Sequence, residues 1–172
     1  VMGVYFITTS QPEDRQPDKI KRFKDRREAL LAYDHHKITL HERITVRMDG
    51  FTHTVEEQSS PPKAIQADRR VTTTVGRILF SEILHAGMPF YNCALGKKGC
   101  ARVIDDCYAM CGRPATIDFL DRLKEMGFKQ STLAGLSFGI TDLRVPKEKA
   151  ELMAEAQKKV DRVEKNYERG LI

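Results

Sequence analysis

The chain has 172 residues, 31% of them charged and 41% hydrophobic, with 29 lysines and arginines against 24 aspartates and glutamates. That length suits one domain, or one domain with an appendage, able to bury about two-thirds of its surface on folding, and no apolar run approaches the roughly 20 residues that span a bilayer. The net charge of +5 admits an anionic partner but is spread evenly: 13 basic against 11 acidic residues in 1–70, 9 against 7 in 71–145 and 7 against 6 in 146–172. No segment is a basic tail, so a purely electrostatic nucleic-acid binder is not the first expectation. Val1 to Ile7 carries no basic leader and no small-residue cleavage site, which makes a cytoplasmic protein without a membrane partner the expectation. The missing initiator methionine and the stop just after a helical pattern read as a piece cut from a longer chain.

In chain order, residues 1–9 are a short apolar segment that periodicity assigns to neither helix nor strand. Ser10 to Lys24, with Pro12 and Pro17, reads as a surface loop, and Asp25 to Tyr33 as a short helix. Ile44 to Met48, the pair Asp49-Gly50 and Phe51 to Val55 predict a β-hairpin, because Asp-Gly supplies the positive φ that a tight turn needs. Glu56 to Arg70 is a second loop. Val71 to Val75 is β-branched in every residue and predicts a strand that can pair with the hairpin, ended by Gly76, before a helix over Arg77 to Leu84.

The second half is helical. Cys100, Ile104, Cys107, Tyr108 and Cys111 fall on one helix face. Pro114 suits a first helical turn; Ile117, Leu120, Leu123 and Met126 continue an apolar stripe, Asp118 and Arg122 form a supporting pair, and Gly127 closes the helix. Pro146 opens a last helix to about Glu168, with Gly170 as its stop. In it Met153, Ala156, Val160, Val163 and Tyr167 are spaced 3, 4, 3, 4, the narrow seam of a two-helix coiled coil, and that seam wants a partner helix.

Between these helices, Gly127 to Pro146 holds Gly127, Gly135 and Gly139, and predicts a stretch in which the backbone itself is the working surface. Gly135-Leu136-Ser137-Phe138-Gly139 spells the nucleophile elbow of serine hydrolases. That motif needs a preceding strand, a following helix and a later histidine. Here a helix precedes, the β-prone Phe138 to Val145 follows, and the last histidine is His85, so the reading fails. Cys93, Cys100, Cys107 and Cys111 suggest zinc, but Cys100 and Cys107 lie about 10 Å apart along a helix, too far for one tetrahedral ion; small buried hydrophobes is the better reading. His35, His36, His41, His53 and His85 show no metal spacing. Leu95-Gly96-Lys97-Lys98-Gly99 lacks the spacing of a phosphate loop, although its lysines at a helix start can meet phosphates.

Taken as a series, Thr73 to Phe80, Leu95 to Lys98, Cys107-Tyr108, Gly127-Phe128, Ser137 to Ile140 and Pro146 to Ile172 resemble the largest, beta-prime subunits of bacterial RNA polymerases. The resemblance runs closely over 71–172 and loosely over 1–9 and 42–48, while 10–40 and 50–70 look idiosyncratic. Thr141 stands where the family usually has an aspartate, so a role for that carboxylate does not carry over.

The resemblance implies a fragment of a nucleotidyltransferase, inactive in isolation. The family's aspartate loop for catalytic magnesium precedes the position of Val1, and its bridge helix and trigger loop follow Ile172, so no cofactor, catalytic or metal residue is expected within this segment. It implies the pore and funnel of the secondary channel, through which nucleoside triphosphates enter and the backtracked RNA 3′ end is extruded. Channel-wall candidates are Arg77, Lys97, Lys98, Lys129, Gly135, Ser137, Gly139 and Asp142. The last helix is similar to the first arm of a rim hairpin on which transcript-cleavage factors dock; the other polymerase subunits are the remaining partners. The expected fold is α+β: a small antiparallel sheet with a hairpin in the first half, a helical second half and a protruding C-terminal helix, divided into 1–145 and 146–172. A free-standing helical adaptor or nucleic-acid-binding module is the alternative.

Overall fold

In the computed structural model, which describes residues 1–15, 17, 19–135, 137, 139–144, 146 and 148–171, period-two alternation builds the first sheet. Ile44 and Val46 of β2 (Arg43–Arg47) are fully buried and their neighbours face outward. β2 pairs in parallel with β1 (Lys21–Phe23) and antiparallel with β5 (Arg70–Thr74), in the order β1-β2-β5 with Ile44 opposite Thr73 and Val46 opposite Val71. A second sheet has the order β4-β3-β6, with β3 (His53–Val55) antiparallel to β4 (Lys63–Ala64) and parallel to β6 (Phe90–Tyr91). The helices are α1 (Met2–Thr8), α2 (Arg26–Asp34), α3 (Val75–Ser81), α4 (Lys97–Ala134) and α5 (Lys149–Glu168). The fold is α+β, as expected. The chain divides into two compact units, Val1–Leu136 and Ser137–Ile172.

The hairpin across Asp49-Gly50 does not form. The turn is there, with Gly50 at φ +94° and the Phe51 N–H directed at the Met48 carbonyl (3.5 Å), but it carries the chain from one sheet to the other. Met48, fully buried, donates its N–H to the Arg69 carbonyl at 2.8 Å and so extends the pairing of β2 with β5. The long β-branched run offers β2 a five-residue ladder, and β3 finds β4 and β6 instead. The two expected loops therefore each contain a short strand, β1 and β4.

Two clusters form the core of the first unit. Ala29, Ile38, Ile44, Val46, Met48, Val71, Val75, Ile78 and Phe90 fill the space between α2, α3 and the first sheet. Val4, Val55, Phe80, Ile83, Tyr91, Leu95, Cys100, Val103, Cys107 and Phe119 fill the other, between α1, α3 and α4. α3 and β6 are the partition: Val75, Ile78 and Phe90 face one cluster, Phe80 and Tyr91 the other. Thr74 caps α3, accepting from the Arg77 N–H at 3.4 Å, so Gly76 lies in the first turn of that helix rather than ending the strand.

Within the first nine residues Met2–Thr8 is helical, and glycine decides how α1 sits. A Cβ on Gly76 would collide with the carbonyl of Ile7, and one on Gly3 with the carbonyl of Gly127. Gly127 is consequently not a helix stop. It is buried inside α4 where α1 crosses, and the helix runs on to Ala134 and ends at Gly135, whose φ of +58° is the left-handed cap. α4 is broken at Gly112 (φ +76°, ψ 176°), and Pro114 sits in the first turn after the break. The break resets the helical phase. On the first arm Cys100, Val103 and Cys107 are buried and Tyr108 is exposed; on the second, Thr116 and Phe119 are buried with Leu123 and Met126 beside them, while Ile117 and Leu120 face outward, contrary to the expected stripe. Asp118 and Arg122 do pair, at 2.8 Å.

The two glycines of the α1–α4 crossing are predicted to respond differently to alanine. Gly3→Ala forces backbone apart and lowers stability by about 1–3 kcal/mol or more. A Cβ on Gly127 meets only Val4 Cγ2 at 3.7 Å, so Gly127→Ala is neutral or stabilising by up to about 1 kcal/mol through helix propensity. Urea unfolding of the two variants measures both.

Candidate functional site

The polar side chains of the first unit converge on the C-terminal end of α1. Thr8, fully buried, donates its hydroxyl to the Val4 carbonyl at 2.7 Å and accepts from the Leu95 N–H at 2.9 Å. Its carbonyl accepts from Arg77 Nε at 2.9 Å, and Arg77 Nη1 donates to Asn92 Oδ1 at 3.1 Å. Asn92 Nδ2 donates to Glu56 Oε2 and to the Thr72 carbonyl, both at 2.9 Å, and Glu56 Oε1 accepts from the Thr54 hydroxyl at 3.0 Å. One chain of hydrogen bonds thus ties α1, α3, β3, β5, β6 and the entry to α4. Burial lowers the Arg77 guanidinium from its ordinary pKa, with Cys93 and Glu56 opposing that shift.

Arg77 is therefore a brace, its guanidinium committed to interior acceptors. Lys97 and Lys98 occupy the first turn of α4, behind the N-cap Gly96, and Lys129 lies on the second arm two residues past the Gly127 crossing. All three are exposed and free of ion pairs among the described residues. Arg77 and the start of α4 meet through Thr8, whereas Lys129 belongs to the end of α4 that meets Gly3 at the opposite end of α1.

In the second unit Ser137, Gly139 and Asp142 are exposed. The expected β-prone stretch holds a 3₁₀ turn at Ile140–Asp142, in which Asp142 Oδ2 accepts from the Gly139 N–H at 2.8 Å; Leu136, Phe138 and Val145, part of the same expectation, lie outside the described residues. α5 begins at Lys149, three residues after Pro146. Within its own unit the seam is uncovered: Met153 is 62% exposed and Tyr167 73%, and Ala156, Val160 and Val163 are exposed with them.

Burial raises the thiols of Cys93, Cys100 and Cys107 above their ordinary pKa, which disfavours the thiolate needed for attack or metal binding. Burial, with the 2.6 Å hydrogen bond to Asp106, likewise raises the Tyr91 hydroxyl. His85 Nε2 lies 2.9 Å from the Ala115 carbonyl and 3.7 Å from Asp118, and His41 Nδ1 3.0 Å from the Thr9 carbonyl, so both rings serve local bracing. Among the described residues no three His, Cys, Asp or Glu side chains gather as a metal-binding group, and no helix is long and apolar enough to cross a membrane.

Side chains that converge in order to hold backbone elements together define a scaffolding segment. The family described as "RNA polymerase Rpb1, domain 3" matches residues 1–143, and the chain belongs to it. Along its whole length it is similar to proteins named DNA-directed RNA polymerase subunit beta′: 37% identical over 172 residues to that of Pelotomaculum thermopropionicum, 36% over 174 to that of Nitrosococcus oceani and 36% over 172 to that of Aquifex aeolicus. The chain spans 13%, 12% and 10% of those three relatives.

Asn92, Thr8 and Glu56 were not candidates in the sequence, where nothing distinguishes them from surface polar residues. Arg77→Met is predicted to leave the Thr8 carbonyl and Asn92 Oδ1 without their donor and to cost about 3 kcal/mol, whereas Lys97→Gln changes stability by no more than about 0.5 kcal/mol. Guanidinium chloride unfolding distinguishes the brace from the surface charge.

Proposed function

We propose that this chain is the wall segment of the secondary channel in a bacterial RNA polymerase beta′ subunit. The observation that carries the reading is the similarity along all 172 residues to proteins of that name. Residues 1–145 act as the pore and funnel domain and 146–172 as the first arm of a rim hairpin. The assembled enzyme performs nucleotidyl transfer in the cytoplasm, with magnesium supplying the charge stabilisation. On this reading the metal's ligands belong to other parts of the subunit.

The segment's own contribution is shape and field. A unit braced through Thr8, Arg77 and Asn92 keeps its wall fixed while substrate passes. Lys97, Lys98 and Lys129, unpaired and exposed, attract the anionic triphosphate and raise its local concentration. Gly135, Ser137, Gly139 and Asp142 present backbone and small polar groups to the RNA 3′ end. The seam Met153, Ala156, Val160, Val163 and Tyr167 takes a second helix from the same subunit, and the pair forms the surface on which transcript-cleavage factors dock.

The test is to graft the chain in place of the matching segment of the Pelotomaculum thermopropionicum subunit. Backtracked complexes carrying a photoreactive nucleotide at the RNA 3′ end are then irradiated. Crosslinks are expected within residues 127–146, and the isolated chain incorporates no nucleotide on a primed template. Crosslinks in an active grafted enzyme that avoid this chain altogether contradict the channel-wall reading.

A further inference from the structure

The first sheet gathers charge that the sequence disperses. Its outer face carries Arg22 on β1, Arg47 on β2 and Arg70 on β5, with Lys24 just past β1, around a shallow depression of about 450 Å³. The register sets them in rows. Arg22, Thr45 and Thr72 lie side by side, and two residues, about 7 Å, further along the strands Arg47 stands opposite Arg70. Like charges directly opposite across a ladder are destabilising, and the sheet offers little relief. Arg47 Nε pairs with Asp49 at 3.0 Å, and Arg69 reaches the same carboxylate at 3.5 Å. Asp68 accepts from the backbone N–H of Arg70. The side chains of Arg22, Lys24 and Arg70 make no hydrogen bond or ion pair among the described residues.

We infer that this sheet face binds the phosphate backbone of a single-stranded nucleic acid without reading its bases. Charge complementarity requires an anionic occupant, and the composition of the face selects which one. Of the six residues that line the depression only Phe23 is apolar, and it is half-buried against the core beneath the sheet, so a protein partner finds one partly covered ring and no apolar core to desolvate. Guanidinium forks suit phosphate oxygens, and Thr45 and Thr72, which share a hydrogen bond of 3.4 Å in the middle of the face, leave one hydroxyl hydrogen as a further donor. Contacts to phosphate fix position but carry no sequence information. With three strands about 5 Å apart, the face holds a few phosphates of one strand. The inference is independent of the channel-wall reading, which concerns other residues.

Fluorescence anisotropy of the full chain with a labelled single-stranded RNA of about 20 nucleotides and mixed sequence tests it. Binding is expected with a log–log salt slope of about −2 to −3, from about 0.7 per phosphate contact, and single-stranded DNA is expected to bind within about threefold. Arg22→Gln with Arg70→Gln should weaken binding about 20-fold near 0.1 M salt and reduce the slope by about 1.4, whereas Lys158→Gln with Arg162→Gln on α5 should leave it unchanged. Unaltered circular dichroism of the variants confirms folding. If a variant does not fold, amide shifts in the unaltered chain decide, and they should move at Arg22, Thr45, Arg70 and Thr72 on adding RNA. Binding that survives the sheet variants, that is lost with the α5 pair, or that is weaker than binding of poly-glutamate overturns the inference.

Discussion

Everything in the first unit depends on the seating of α1, a helix of 7 residues held at both ends. At one end Gly3 lets two backbones touch, and at the other Thr8 offers its hydroxyl to Leu95 and its carbonyl to Arg77. A helix this short has no independent stability in water; its order comes from the site it fills. In return it joins the cluster of Cys100, Val103 and Phe119 through Val4 and fixes where α4 begins. A buried arginine in this setting is tolerable because each acceptor around it has a second reason to be there: Asn92 also joins β3 and β5, and the Thr8 carbonyl is one of the orphan acceptors at a helix end. Removal of any one member leaves the others desolvated and unpaired, which is why the network holds two cores in one arrangement.

Local signals were legible in the sequence and non-local ones were not. The short helix at Asp25 to Tyr33, the β-branched β5, the proline that starts the second arm of α4 and the Asp118–Arg122 pair each depend on residues close in the chain, and each is found. The hairpin failed because its turn was read correctly while its partners were not: β2 takes a strand more than twenty residues away. Gly127 misled for a related reason, since glycine at a helix crossing and glycine at a helix stop look alike until the other helix is known. Ile117 and Leu120 are exposed because the buried face of the second arm runs through Thr116, Phe119, Leu123 and Met126, spaced 3, 4, 3, and a stripe stepping by three residues drifts off it.

The candidate site divides along the same line. Lys97, Lys98 and Lys129 were found as exposed cations, but Arg77 turned out to be spent on the interior, a distinction that one-dimensional charge cannot carry. The even distribution of charge along the chain likewise concealed the face around Arg22, Arg47 and Arg70, because strand register, not sequence proximity, brings them together. The helix α5 was legible, because a spacing of 3 and 4 is a property of one helix alone. Its exposure within its own unit matches a surface that waits for a second helix.

In the proposed function the braced first unit serves as a wall and the uncovered seam of α5 as part of a rim in a beta′ subunit. An electron cryo-microscopy map of the polymerase carrying this chain at the matching position tests it most directly. Gly135, Ser137, Gly139 and Asp142 are expected to line the passage to the active centre, and Met153, Val160 and Tyr167 to be covered by a second helix of the same subunit. A map in which that passage is walled by other residues, or in which the seam stays bare in the assembled enzyme, contradicts it.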